Sequence, residues 1–223
     1  MIGVRLASEH RQEKRDPHHL ERTRAVGPSF PHCYSAPVRR ILLARHGQTA
    51  WNAQGRLQGH TDIELDDTGR TQAKQLADSL VGAGITRVWS SDLARARQTA
   101  TIVASELGLP PPEVDAELRE RKFGVFEGLT RDEILAQHPD AWRAWVAHTT
   151  HPPGGEPRDE ATVRMQRALL RIVADDTALV VTHGGVMRLW LMELLGKTVP
   201  LVANATMYEL HHDGTVFRAK LRA

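Results

Sequence analysis

From Val38 onward, short apolar runs alternate with longer amphipathic stretches, the pattern of a parallel sheet covered by helices. Residues 41–44 predict a buried strand. Residues 68–81, with Ala73, Leu76, Ala77 and Leu80 on one face, predict a helix stopped at Gly82 and Gly84. A second strand is predicted over 86–89, and Asp92 is placed to cap a helix that runs to about Leu107 and ends at Gly108 and Pro110. Beyond that point the periodicity loosens. Residues 133–138 and 141–148 read as helical, 151–155 as a loop and 159–174 as a helix. A further buried strand over 178–182 precedes a helix over 186–195. Two closing strands, near 203–210 and 215–221, are joined through an Asp213-Gly214 hairpin signal.

Residues 1–37 break this pattern. They are rich in charge, histidine and proline, hold few large apolar residues, and are expected to form a disordered or weakly helical extension outside the fold. His10, His18 and His19 lie in it without a carboxylate or cysteine at ligand spacing, so a solvated tail is the expectation. The single cysteine, Cys33, also lies there. Residues 38–223 are expected to form one domain.

Charge changes the picture only slightly. The formal charge of +2 invites a nucleic-acid reading, but residues 1–38 hold six Lys/Arg against four Asp/Glu, leaving 23 against 23 for 39–223. The folded part is neutral and lacks a basic stripe, so no nucleic-acid partner is expected. No apolar run approaches the roughly 20 residues of a membrane-spanning helix, and the first residues lack a secretory centre. A cytoplasmic location without a membrane partner is expected. No feature decides the oligomeric state.

The candidate chemistry gathers where apolar runs end. Ala44 leads into Arg45-His46-Gly47, Trp89 into Ser90-Ser91, and Val181 into Thr182-His183-Gly184-Gly185. If these runs are neighbouring parallel strands, their carboxyl ends share the edge where ligands of open α/β sheets bind. Arg45, His46, Ser91, Arg95 and His183 would then surround one pocket. A single histidine after a strand is ordinarily structural. Two His-Gly turns after two buried strands are harder to explain by packing, because burying unpaired charge is costly.

The motifs resemble those of the histidine phosphatase (phosphoglycerate-mutase-like) superfamily. Residues 43–52, LARHGQTAWN, resemble its RHG signature, and 55–62, GRLQGHTD, with Leu65 and Gly69, resemble the stretch that follows. Residues 91–100, SDLARARQTA, resemble its second phosphate-binding motif. Leu118-Arg119-Glu120 with Gly124 and Glu127-Gly128 resembles its acid motif, and residues 182–185 its second histidine. The resemblance spans about residues 40–220 and implies a three-layer α/β sandwich whose mostly parallel central sheet is flanked by helices.

It also implies roles. His46 would attack phosphorus with one ring nitrogen while a carbonyl of the following turn holds the other. Arg45 and Arg95 would grip the non-bridging oxygens. His183, expected as an imidazolium and helped by the Gly184 amide, would donate to the same group, and Glu120 would serve as general acid, then base. Asn52, Gln58 and Gly59 would line the pocket rim. No metal or other cofactor is implied, since two arginines and two histidines offset the phosphate charge. A Ser91 nucleophile is disfavoured, because no G-x-S-x-G elbow surrounds it.

The expected partner is a small phosphorylated metabolite, and the expected activity is hydrolysis of its monoester. Two features favour this over a cofactor-dependent phosphoglycerate mutase: Phe123 stands where similar mutases carry tyrosine, and their arginine pair is represented only by Arg143. A catalytically silent phosphate-binding module is the alternative from another class.

Overall fold

The computed structural model describes residues 39–174 and 177–222. The expectations for residues 1–37, Cys33 included, lie outside the described residues. In chain order the elements are β1 (Arg39–Arg45), α1 (Ala50–Ala53), α2 (Asp67–Leu80), β2 (Arg87–Ser90), α3 (Ala94–Glu106) and β3 (Glu113–Val114). Then come α4 (Arg131–Gln137), α5 (Pro139–Val146), α6 (Arg158–Ile172), β4 (Thr177–Thr182), α7 (Gly184–Leu195), β5 (Met207–His212) and β6 (Phe217–Arg222). Single 3-10 turns occur at Ala116–Leu118 and Gly124–Phe126.

The strands form one sheet in the order β3-β2-β4-β1-β5-β6. The first four run parallel, whereas β5 and β6 are antiparallel to their neighbours. Side chains alternate across β1, so its apolar run serves both faces. Ile41 and Leu43 pack with Met165, Leu169, Met187 and Trp190 of α6 and α7. Leu42 and Ala44 pack with Leu76, Leu80, Ala100 and Val103 of α2 and α3. Burying a leucine or isoleucine of this kind contributes about 1.5–3 kcal/mol, and these two clusters hold the three layers together. A smaller cluster of Phe123, Phe126 and Ile134 gathers Trp142 and Trp145 beside the sheet.

Several boundaries differ from the sequence expectation. Asp92 does not cap α3: its carboxylate pairs with Arg119, and the Ala94 amide donates instead to Asp62 Oδ1 at 2.6 Å. A cap 32 residues away leaves no local signal. Helix α7 starts at Gly184, two residues early, and β5 starts only at Met207, because the segment before it turns onto β1 through Arg45 N–H to Thr206 O at 3.0 Å. The closing turn is a four-residue loop in which Asp213 Oδ1 accepts from the Thr215 and Val216 amides. Helix α1 and strand β3 are too short to show a period.

Candidate active site

β1 and β4 lie side by side at the sheet centre with Arg45 opposite Thr182, so both His-Gly turns leave the same edge. The ladder runs one step further, from His46 N–H to Thr182 O at 3.0 Å. The two imidazoles therefore sit with ring centroids 5.1 Å apart. Tight backbone packing fixes the first turn. A Cβ on Gly47 would lie 2.4 Å from Gly69 O in α2, and the Gly47 amide donates to Thr99 Oγ1 of α3 at 3.0 Å.

A cavity of about 520 Å³ opens over this edge, bordered by Arg45, His46, Asn52, Gln58, Arg95, Glu120 and Gly184. Its outer wall is mixed: Phe123, Trp145, Val146, Leu189, Met192 and Leu201 stand with Arg56, Arg121, His148, Arg158 and Arg188. His183 is fully buried beside His46 and is not part of the cavity lining, and neither is Gly59. Gly59 stands behind the site, where its carbonyl accepts from Arg95 Nη2 at 2.8 Å, and not on the rim as the sequence suggested.

Hydrogen bonds settle the tautomers. His46 Nδ1 lies 2.6 Å from Gly47 O, and a carbonyl can only accept, so Nδ1 carries the proton and Nε2 keeps a free lone pair. Burial, then Arg45 and Arg95, hold the His46 pKa well below its ordinary value, so the ring is neutral at pH 7. His183 Nδ1 accepts from Arg95 Nε at 3.2 Å, which puts its proton on Nε2, a buried atom without a protein partner. Burial first and Arg95 second press its pKa well below the usual range. The imidazolium expected from the sequence is thus replaced by a neutral ring that remains a donor.

Arg95 is 1% exposed, and burial lowers its pKa to about 10, so it stays charged at neutral pH. It donates to Thr61 O at 2.9 Å, Gly59 O and His183. A guanidinium has five N–H bonds, so two remain for a ligand. Arg45 is fixed through Nη1 to Val202 O at 2.6 Å, while its buried Nε has no partner. Glu120 reaches the start of α7, where Oε1 accepts from Arg121 N–H and Val186 N–H at 2.7 Å and Oε2 from Gly185 N–H at 2.8 Å. Three of its four lone-pair positions are filled, and the fourth, on Oε2, is open.

The loops carrying these groups are cross-braced by Glu127. Its carboxylate accepts from the His60, Thr61 and Phe123 amides. Sequence reasoning had not assigned this role, nor those of Thr99 and Asp62, whose signals are all long-range. Ser91 Oγ accepts from the Leu93 amide and does not border the cavity. Arg143 is exposed, paired with Asp140, and absent from the cavity wall. Among the described residues, no group of three His, Cys, Asp or Glu is placed to hold a metal, and no helix is long and apolar enough to cross a membrane.

Paired buried histidines beside two arginines, at the carboxyl edge of a mixed sheet with helices on both faces, define an α/β protein with a cationic histidine pocket. The chain belongs to the histidine phosphatase superfamily, branch 1, whose family description matches residues 41–222. It is 42% identical to phosphoglycerate mutase-like protein 4 of Arabidopsis thaliana over 155 residues, 66% of this chain and 67% of the relative. The metal-independent phosphoserine phosphatase of the same plant is 34% identical over 182 residues, covering 78% and 76%. A mycobacterial glucosyl-3-phosphoglycerate phosphatase solved in complex with VO3 superposes with a TM-score of 0.74 at 33% identity, over 82% of this chain and 98% of that one.

Proposed function

We propose that this protein is a phosphatase for small phosphate monoesters that works through a phosphohistidine on His46. The observation that carries the reading is the His46 Nδ1 to Gly47 O bond of 2.6 Å, which leaves Nε2 as a bare nucleophile beside the buried Arg95 and the part-buried Arg45 guanidinium groups. Nε2 attacks phosphorus as the P–O bond to the leaving group breaks, and Glu120 gives its proton to the leaving oxygen from the open side of Oε2. Water then attacks the phosphohistidine, the N–P bond breaks, and Glu120 takes the proton of the incoming water. The free N–H groups of Arg95, Arg45 Nε–H and His183 Nε2–H hold the non-bridging oxygens. Such preorganised donors cost no rearrangement when charge develops.

Asn52, Gln58 and Gly184 border the space around the phosphoryl group. The cavity is larger than a phosphate needs, and its outer wall, where Phe123, Trp145, Met192 and Leu201 stand with Arg121, Arg158 and Arg188, suits a leaving group with both apolar and anionic parts. Hydrolysis is favoured over mutase activity because Phe123, on the wall, has no hydroxyl, and Arg143 is paired elsewhere. The mutase reading keeps its place through the Arabidopsis relative of that name.

Incubation with 3-phosphoglycerate and a trace of the 2,3-bisphosphate separates the two. Phosphate release faster than isomerisation is expected, and the reverse order would overturn the preference. A catalytically silent binding module predicts no phosphohistidine after rapid, acid-free quenching.

A further inference from the structure

Asn204, in the segment between α7 and β5, belongs to none of the motifs that carry the chemistry, yet its side chain ends against the nucleophile's own backbone. Its Nδ2 lies 3.1 Å from His46 O and 3.2 Å from Asn52 Oδ1. A carboxamide nitrogen has two hydrogens, one for each of these acceptors. We propose that Asn204 is a positioning residue: it ties the His46 backbone to Asn52 and fixes the Asn52 amide so that its NH2 faces the transferring phosphoryl group. The inference rests on the phosphatase reading and on Asn52 as a rim donor.

The orientation follows from counting donors. Asn52 Oδ1 receives Asn204 Nδ2, the Thr49 amide at 3.1 Å and Thr49 Oγ1 at 3.2 Å. Exchanging oxygen and nitrogen would set an NH2 group against the Thr49 amide and the Asn204 NH2, so the flipped amide is disfavoured. Asn52 borders the cavity, and Nδ2 is the end left to face it. Thr49 and Asn52 also form the capping box of α1, which anchors the Asn52 backbone but leaves the amide held only from within its own turn. Asn204 supplies the restraint from outside that turn.

The backbone is shaped for this contact. Ala205 has φ of +56°, a region costly for a residue with a Cβ. That turn brings its amide to 3.4 Å from His46 O and lets Thr206 O take the Arg45 amide at 3.0 Å. Asn204 is thus carried on a strained corner directly over the end of β1, where backbone strain commonly marks a functional constraint.

The test is a cycle of Asn204→Ala, Asn52→Ala and the double variant, with Asn204→Asp as an isosteric companion. Far-UV circular dichroism and melting confirm folding; the readouts are the Kd for inorganic phosphate and for orthovanadate, and kcat/KM for a monoester. Losing a hydrogen-bond restraint on a ligand donor is expected to weaken phosphate binding by about 10-fold in Asn204→Ala. Asn204→Asp is expected to lose at least as much, since it sets an oxygen against two acceptors. The double variant should bind no more weakly than Asn52→Ala alone.

Multiplying losses in the double variant, or unchanged phosphate affinity in either Asn204 variant beside a weakened Asn52→Ala, overturns the link. A silent Asn52→Ala overturns the rim assignment and the inference with it. Failure of the phosphatase reading shows separately, as a wild type that forms no phosphohistidine.

Discussion

The least replaceable residue is His46, and its environment predicts how replacement behaves. His46→Ala removes the proposed nucleophile while leaving Arg45 and Arg95 in place, so turnover should fall by at least about 10³-fold while inorganic phosphate still binds; steady-state assays and calorimetry check the two halves. The buried histidines also set a pH dependence. Both have folded-state pKa values below the unfolded value of about 6.5, so the unfolded chain takes up protons first as pH falls. Their contribution to stability is therefore present above about pH 7 and declines as pH drops through about 6.5 towards the lower folded-state values. Urea titrations at pH 7.5 and 5.5 should show this loss, and His183→Gln should show less of it. The residue identities were legible in the sequence because Arg-His-Gly and His-Gly-Gly end apolar runs. The charge on His183 was not, since it depends first on burial behind the cavity lining and then on Arg95, 88 residues away.

At the scale of elements, the long periodic pieces were readable and their ends were not. Helix α2 shows its buried face through Ala73, Leu76, Ala77 and Leu80 and lies within a residue of expectation at either end. Helix α3 shows the opposite case, since its cap comes from Asp62 in another loop. Asp62→Ala is expected to cost about 1 kcal/mol, typical of a lost cap, and melting should fall by about 2–4 °C. The start of α7 is the element end on which the chemistry depends most. A Cβ on Gly185 would sit 2.6 Å from Glu120 Oε1, displacing the carboxylate from the amides that hold it. Gly185→Ala is therefore expected to lower kcat by about 10²-fold, within the range for a mispositioned general acid, while phosphate affinity changes little. An unchanged kcat would remove Glu120 from the proposed chemistry.

For the whole molecule, the layered sheet followed from alternation alone. The Asp213-Gly214 hairpin signal also foretold that β5 and β6 run antiparallel to each other; that β5 runs antiparallel to β1 was not legible, because its apolar spacing is the same whichever way it runs. The site couples to global stability by mass action. Inorganic phosphate at 100 times its Kd should add about 2.7 kcal/mol and raise melting by about 5–11 °C, a shift that a thermal-denaturation series in phosphate measures directly. β1, first in the described chain, is completed by β4 and β5, with the Asn204 bridge to His46 spanning 158 positions. Contacts of such separation close late, after large loop-closure entropies have been met. On a ribosome, the His46 turn emerges before β4 and β5 and waits, without its neighbouring strands, until they have been synthesised. A nascent chain stopped before β5 carries the proposed nucleophile but not the backbone that aims it, so phosphohistidine formation should appear only once β5 has paired with β1.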